Sequence, residues 1–184
     1  MNVEPQTFLR LVESAKTIAC FDLEATGLRG DYNSVLCVSI KPYDEEPKTF
    51  AVKRAGDDKT VVKAVSEHLA QFDCWVGYYS KGFDLPMLNT RLLQHGLPPI
   101  AKRHHIDLYF TLRYNLLTAR KSQGHLLDWL QTPEKKMSVS AEEWNRVLSN
   151  PKAAMPIMIK RCESDVKGLE DLYERTRHLV KEIK

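Results

Sequence analysis

The spacing of hydrophobic residues changes partway along this chain. The first part has short apolar runs typical of strands, and the later part adds the 3.6-residue period typical of helices. From Thr17 to Leu28 the chain runs apolar and β-branched into two acids and then breaks at Gly27, which predicts a buried strand. Two further runs, 34–41 and 48–53, are joined by an acidic, proline-containing turn and predict antiparallel strands. The first third of the chain therefore predicts hairpins.

The remainder predicts helices alternating with short strands. Apolar residues with a 3.6-residue period follow Asp57 and Asp58, either of which would cap a helix reaching Phe72. Short strands are predicted over 74–77 and 105–109, and helices over 83–95, 110–117, 124–130, 141–148 and from about 155 to the end. In the helix over 83–95, Leu85, Leu88 and Leu92 are expected to point inward, and Leu93 is left open. This order predicts an α/β fold in which helices pack on a mixed sheet.

Composition narrows the class of protein. With 184 residues and 43% hydrophobic content, we expect a single domain over 1–184, with 1–16 as an N-terminal extension or helix. A net charge of +3 from scattered Lys and Arg excludes a polybasic binder but permits a local basic groove. The four cysteines lack metal-ligand spacing and are expected to be reduced core residues. With no secretory signal or transmembrane run in the sequence, we expect a cytoplasmic protein.

Two acids on the first predicted strand carry the main chemical signal. Asp22 and Glu24 are at i and i+2, so their side chains project from the same face of a strand. On a solvated face this common tripeptide would mean nothing, but the flanking apolar residues predict a strand covered on both faces. A buried acid pair is costly without a cation, so the pattern favours a site for hard divalent metals.

Two later acids are candidates for the same site. Asp84 follows a predicted strand and a glycine-containing loop, and precedes a helix; capping of that helix explains it equally well. Asp165 interrupts the apolar stripe of the last helix, which also contains Cys162 and Leu169. Because acids on an apolar stripe are usually paired or metal-bound, Asp165 is the stronger candidate.

Three segments in this order resemble the exonuclease motifs of the DEDD superfamily of 3′–5′ exonucleases, which have the ribonuclease-H-like fold. They are Phe21-Asp-Leu-Glu-Ala-Thr-Gly-Leu28, Tyr79-Ser-Lys-Gly-Phe-Asp-Leu-Pro-Met-Leu88 and Arg161-Cys-Glu-Ser-Asp-Val-Lys-Gly-Leu169. The nearest resemblance is to the branch of predicted bacterial and viral ribonuclease-H-like exonucleases, through His105-Ile-Asp-Leu-Tyr109. The resemblance implies a mixed five-stranded sheet, three strands antiparallel and the others parallel, flanked by helices.

The resemblance also implies roles for the matching residues. Asp22, Glu24, Asp84 and Asp165 would be the catalytic acids and would bind two Mg²⁺ or Mn²⁺ ions, with Asp22 bridging them. Residues just after the first acid pair would contact the terminal nucleotide, through a backbone amide and an apolar wedge. Thr26 and Leu28 stand at those positions.

One position departs from the family pattern. The superfamily usually has Tyr or His four residues before its last acid to orient or deprotonate the attacking water, and this chain has Arg161. Arginine stays protonated, so Arg161 would instead bind a phosphate oxygen or stabilise the transition state, unless the register differs by one helical turn. Four residues are candidate substitutes for the missing group, although the adjacent histidines are expected at the surface: Tyr78, Tyr79, His104 and His105. Metal-bound water needing no base, and a slow or dead enzyme, also remain open.

Several other residues have simple structural interpretations. We expect Trp129, Trp144 and Tyr173 to be core or half-buried, and Asp107 to support the site or a strand end. A set of basic residues would line a phosphate track only if they converge on one groove: Lys102, Arg103, Arg113, Arg120, Lys121, Lys135 and Lys136.

Together these features predict a metal-dependent 3′–5′ exonuclease that hydrolyses single-stranded nucleic acid, DNA favoured over RNA, and releases nucleoside 5′-monophosphates. We expect a monomer. The alternatives are a catalytically weak or inactive nucleic-acid binding module of the same fold, for which Arg161 is the motive, and an endonuclease of that fold.

Overall fold

The computed structural model describes residues 17–180. The expected extension or helix over 1–16, and the last four residues of the predicted final helix, lie outside that range. Within it, five strands form one sheet in the order β3-β2-β1-β4-β5. They are β1 (Ile18–Ala25), β2 (Val35–Pro42), β3 (Lys48–Ala51), β4 (Cys74–Gly77) and β5 (His104–Asp107).

Strand directions confirm the predicted mixed sheet. β1 pairs antiparallel with β2, and β2 pairs antiparallel with β3, as hairpin connections allow. β4 runs parallel to β1, and β5 runs parallel to β4. The carboxyl ends of β1, β4 and β5 therefore share one edge of the sheet, where an α/β fold places its ligands.

Helices flank the sheet, which confirms the predicted α/β fold class. They are α1 (Lys59–Leu69), α2 (Asp84–Gln94), α3 (Leu108–Asn115), α4 (Gln123–Trp129), α5 (Ala141–Ser149) and α6 (Pro151–Thr176), followed by a short 3₁₀ helix (Arg177–Leu179). Among the described residues, no helix is long and apolar enough to cross a membrane. All four cysteines are buried and free, as predicted.

Several predicted boundaries were wrong for local reasons. The strand predicted over 105–109 ends at Asp107, because the Asp107 carboxylate accepts the Tyr109 amide at 3.1 Å and begins α3. The last helix starts at Pro151, not near Met155, since proline suits the first turn of a helix. α1 ends at Leu69, before Phe72. The orientation of Leu93, which the sequence left open, is outward: this residue of α2 is exposed.

The packing of the long helix α6 buries Asp165. Its Met158 and Cys162 belong to an apolar cluster with Phe21 and Leu23 of β1. One turn further on, Val166 and Leu169 belong to a second cluster, which also holds residues of β4 and β5. Asp165 lies between these two stretches and is buried, as its position on the apolar stripe predicts.

Candidate active site

Three carboxylates converge where β1 meets α6. Asp22 and Glu24 project from one face of β1, and Asp165 comes from α6. One carboxylate oxygen from each lies within 4.8 Å of the other two. Glu24 and Asp165 are buried, and Asp22 keeps partial exposure to solvent. The fold thus brings together three of the four acids that the sequence singles out.

Asp84 approaches this cluster from the side of α2. It is the first residue of that helix, and Phe83 occupies the N-cap position, so the interpretation of Asp84 as the cap was wrong. Its Oδ1 instead accepts the backbone amide of Leu23, the residue between the two acids of β1, at 3.1 Å. Asp84 is only 4% exposed, so its carboxylate is held against β1 beside the other three.

Two cations of the chain reach into the acid cluster. Arg161, one turn before Asp165 on α6, places its Nε 2.6 Å from Glu24 Oε1 and 3.7 Å from Asp165 Oδ2. The contact with Glu24 is an ion pair whose angles fall short of a hydrogen bond. Lys136, in the segment between α4 and α5, places its Nζ 3.0 Å from Asp165 Oδ2. The four acids are therefore partly neutralised by the protein itself.

Burial and mutual repulsion raise the pKa values of three of the acids and so favour their protonated forms. The pKa of Asp22 lies well above its usual value, because the group is desolvated and because Asp84, Asp165 and Glu24 carry like charge. Burial raises the pKa of Glu24 to about 7, although Arg161 opposes the shift. Burial also raises the pKa of Asp84 to about 7, against the stabilising amide of Leu23.

The donor set fits a divalent metal ion. Carboxylate oxygens are the ligands that Mg²⁺ and Mn²⁺ prefer. Asp165 Oδ1 is buried and accepts no hydrogen bond from any described residue, and such an oxygen is costly unless a cation or water meets it. The cluster of Asp22, Glu24 and Asp165, with its unsatisfied oxygen, is therefore a candidate metal centre.

The loop after β1 presents the residues expected to contact a terminal nucleotide. Leu28 is 80% exposed. The Thr26 hydroxyl accepts the Ser34 amide at 3.0 Å and the Thr26 amide donates to the Ser34 carbonyl, so both groups already bond within the hairpin. A substrate role for Thr26 and Leu28 stays a prediction.

A buried ion pair between Arg91 and Asp58 holds the loop after β1 in place. Arg91 of α2 donates to both carboxylate oxygens of Asp58, at 2.8 and 2.9 Å, and to the Gly30 carbonyl at 3.1 Å. Asp58, which the sequence offers as a cap for α1, makes no capping bond and instead accepts from Arg91, His95 and the Val35 amide. The same carboxylate therefore fixes β2, α2 and the loop.

The four residues considered as water-orienting groups differ in burial and in hydrogen bonding. The Tyr78 hydroxyl donates to the Lys121 carbonyl, whereas Tyr79 is 46% exposed. His104 is exposed at the start of β5. The surface expectation for His105 was wrong: it is buried, its Nε2 is 2.8 Å from Ser80 Oγ, and its ring packs against Phe21 and Trp75.

The remaining expectations had mixed outcomes. Tyr173 is buried and Trp144 is partly buried, with the Arg161 guanidinium 5.8 Å from its ring, but Trp129 is 53% exposed and was wrongly expected to pack. The contact of Lys136 with Asp165 was not predicted, since Lys136 stood out in the sequence only as one of a basic set. No spacing rule predicts that contact, because Lys136 lies outside regular structure. The Arg161–Asp165 pair was predictable, since residues four apart are neighbours on a helix.

Comparison with known proteins identifies a fold and a family. A family model described as the RNase H superfamily matches residues 19–177. A solved structure of the family B DNA polymerase from the hyperthermophilic archaeon Pyrobaculum calidifontis superposes with a TM-score of 0.72 at 19% identity. The match covers 88% of this chain and 24% of the polymerase, so this chain corresponds to about a quarter of that protein's length. A search of curated proteins found no match.

Proposed function

Because the chain belongs to the RNase H superfamily, we propose that it is a divalent-metal-dependent nuclease, and more specifically a 3′–5′ exonuclease of the DEDD superfamily. The observation that carries this proposal is the convergence of Asp22, Glu24 and Asp165 around the unsatisfied Asp165 Oδ1. The partners would be single-stranded nucleic acids, DNA in preference to RNA.

The acids are proposed to hold two Mg²⁺ or Mn²⁺ ions, with Asp84 as the fourth ligand. Ions bound there would lower the pKa of the attacking water and stabilise the departing 3′-oxygen. The water oxygen bonds to phosphorus as the bond from phosphorus to O3′ breaks, and the 3′-oxygen gains a proton. The product is a nucleoside 5′-monophosphate.

Residues around the acids are proposed to position the strand. Leu28, exposed on the loop that Arg91 anchors, would wedge against the terminal base. Arg161 is proposed to release Glu24 when metal binds and to contact a phosphate oxygen, which a guanidinium binds through paired donors. His105 is unsuitable as the general base, because it is buried against Ser80 and burial lowers its pKa to about 3.

A second candidate function is a nucleic-acid binding module without turnover. The observation that favours it is the pair of internal cations, Arg161 and Lys136, which already contact two of the acids. In that case the protein would bind strand ends, and neither Mg²⁺ nor Mn²⁺ would lead to cleavage.

The test is a time course on a 5′-labelled single strand of DNA, beside the same strand as RNA, with Mg²⁺, with Mn²⁺ and with EDTA. The proposal expects metal-dependent shortening from the 3′ end, absent in Asp84→Ala and retained in Asp57→Asn, an exposed acid outside the site. Cutting of a circular strand would indicate an endonuclease instead. Binding without shortening on either strand would support the binding module.

A further inference from the structure

At the same sheet edge as the acids, three partly exposed aromatic rings contact one another, and a fourth lies one helical turn away. Tyr79, in the loop after β4, has its ring centroid 5.0 Å from that of Tyr109 and 5.8 Å from that of Phe110. Tyr114 lies one turn beyond Phe110 on α3 and is 77% exposed. We call Tyr79, Tyr109, Phe110 and Tyr114 the aromatic surface.

The protein holds Tyr79 in place at a conformational cost. Its backbone adopts φ 60°, a left-handed conformation that aromatic residues rarely take. Asp107 fixes this turn by accepting the Tyr79 amide at 2.9 Å and the Lys81 amide at 2.8 Å. A side chain at Gly82 would meet the Tyr79 ring at 2.6 Å, so glycine leaves the space in which the ring lies. The result is a 46% exposed ring in a fixed position.

The aromatic surface and the proposed catalytic site share the loop after β4. β1 and β4 run parallel with Cys20 paired to Val76, so Asp22 and Tyr78 each follow that pair by two residues. Tyr79 follows directly, and five residues later the same loop ends at Asp84. A strand whose 3′ end reaches the acids therefore has the aromatic surface as its neighbour.

The charge around these rings suits a polyanion. The segment 108–122, which carries three of the rings, contains Arg113, Arg120 and Lys121 and no acid. The acid just before it, Asp107, is buried and accepts backbone amides, so it presents little charge to the surface. Arg113 lies 5.7 Å from the Tyr114 ring, and the Lys121 carbonyl accepts the Tyr78 hydroxyl, which brings a basic segment beside the rings.

From this arrangement we propose that the aromatic surface stacks the bases of a single-stranded nucleic acid upstream of its 3′ end. Aromatic rings interleaved with cations bind single strands without reading their sequence, because every base has a stacking face. This inference rests on the proposed function for the direction of the strand. It adds a binding subsite, and with it a preference for strands several nucleotides long.

The test separates strand binding from cleavage. Affinity for a fluorescent twelve-nucleotide DNA is measured in EDTA, for the wild type and for Tyr79→Asn, since asparagine tolerates the left-handed backbone. We expect about tenfold weaker binding by Tyr79→Asn. Tyr79→Phe, which keeps the ring, should bind within about twofold of the wild type. Tyr114→Ala, at a side chain too exposed to disturb the fold, should weaken binding in the same direction.

A strand with abasic nucleotides at the second to fourth positions from its 3′ end identifies stacking as the cause. The wild type should lose affinity for this strand, and Tyr79→Asn should lose little more, because the interaction is already absent. Equal affinities of all variants for the normal strand, or no binding by the wild type, would overturn the inference. Metal-dependent shortening by the wild type together with an unchanged Tyr79→Asn affinity would overturn it while leaving the nuclease proposal intact. Binding that depends on Tyr79, without any shortening, would support the subsite and contradict the nuclease.

Discussion

Arg161 lies between two acids that belong to different elements of the fold, with its Nε 2.6 Å from Glu24 Oε1 on β1 and 3.7 Å from Asp165 Oδ2 on α6. A positive charge at this point stabilises the acids in the absence of metal. The same charge would repel a divalent ion at the proposed metal site. Arg161 would therefore weaken metal binding while it stabilises the metal-free fold.

Replacement of Arg161 is the direct test of this balance. Arg161→Gln should bind Mn²⁺ about tenfold more tightly or better by calorimetry, because one competing charge is removed. Its metal-free form should melt at a lower temperature than the wild type at pH 8. The matched control is Arg146→Gln, since Arg146 is exposed and pairs weakly with Glu142 on α5. Unchanged or weaker Mn²⁺ binding by Arg161→Gln would show that the guanidinium does not compete.

Asp22→Asn should separate activity from stability. Burial and three neighbouring acids all raise the pKa of Asp22, so its negative charge is unfavourable in the metal-free site. The variant should lose nearly all metal-dependent hydrolysis, yet its metal-free form should be at least as stable as the wild type at pH 8. Thermal melting in EDTA checks this, with Asp57→Asn as the exposed control. A midpoint lowered by many degrees would count against repulsion among these acids.

Metal-free stability should fall as the pH rises. The pKa values of Glu24 and Asp84 rise to about 7 on folding, from ordinary values of 4.5 and 3.8. Between about pH 4 and about pH 7 the folded state therefore holds more protons than the unfolded state. Each extra proton lowers the free energy of unfolding by about 1.4 kcal/mol per pH unit.

Mg²⁺ should cancel this dependence, because bound acids stay ionised. Urea unfolding in EDTA and in Mg²⁺ at several pH values should show stabilisation by Mg²⁺ that grows with pH. His105 acts in the opposite direction, since burial lowers its pKa to about 3 and its contribution is lost as the pH falls from about 6.5. That contribution is the same with and without Mg²⁺, so it drops out of the difference. A difference that is constant across pH would contradict the raised pKa values.

Loss of one charge from the buried Asp58–Arg91 ion pair should lower the stability of the protein. Asp58→Asn leaves the Arg91 guanidinium buried without its carboxylate and should lower the free energy of unfolding by about 3–5 kcal/mol in urea titration. The neighbouring Asp57→Asn, at an exposed side chain, is the matched control and should change stability by less than about 0.5 kcal/mol. Similar losses in both variants would mean that the Arg91 pair is not the anchor.

Leu28→Ala tests the proposed wedge. Leu28 is 80% exposed and contributes little to the core, so the variant should fold normally. Its KM for a single strand should rise severalfold, since an apolar contact to the terminal base is lost. Leu93→Ala, at an exposed leucine of α2, is the control. If Leu28→Ala matches the wild type in both affinity and rate, the wedge role is wrong.

The sheet and three acids of the site were predictable because each follows from a strict periodicity. Side chains two apart share a face of a strand, which places Asp22 and Glu24 together. An acid on an apolar helical stripe must be buried, which places Asp165 against the sheet. Neither inference requires knowledge of distant contacts.

The contacts that sequence did not predict depend on tertiary packing. Lys136 reaches Asp165 from a segment without regular structure, and no periodicity sets that approach. His105 was expected at the surface because two adjacent histidines precede a strand, but Ser80 provides its hydrogen bond and two aromatic rings pack against it. β5 ends at Asp107 because the Asp107 side chain accepts backbone amides from the loop after β4 and from α3. Local strand propensity does not predict these hydrogen bonds.

The central place of β1 in the sheet would link the supply of the proposed divalent ions to the lifetime of the protein. β1 joins the hairpin half of the sheet to the parallel half, and it carries two of the acids that repel one another. A ligand that binds only the folded state raises the free energy of opening, whereas its withdrawal lowers it. Since degradation by proteases follows the population of the opened chain, we expect cells short of Mg²⁺ or Mn²⁺ to degrade this protein faster.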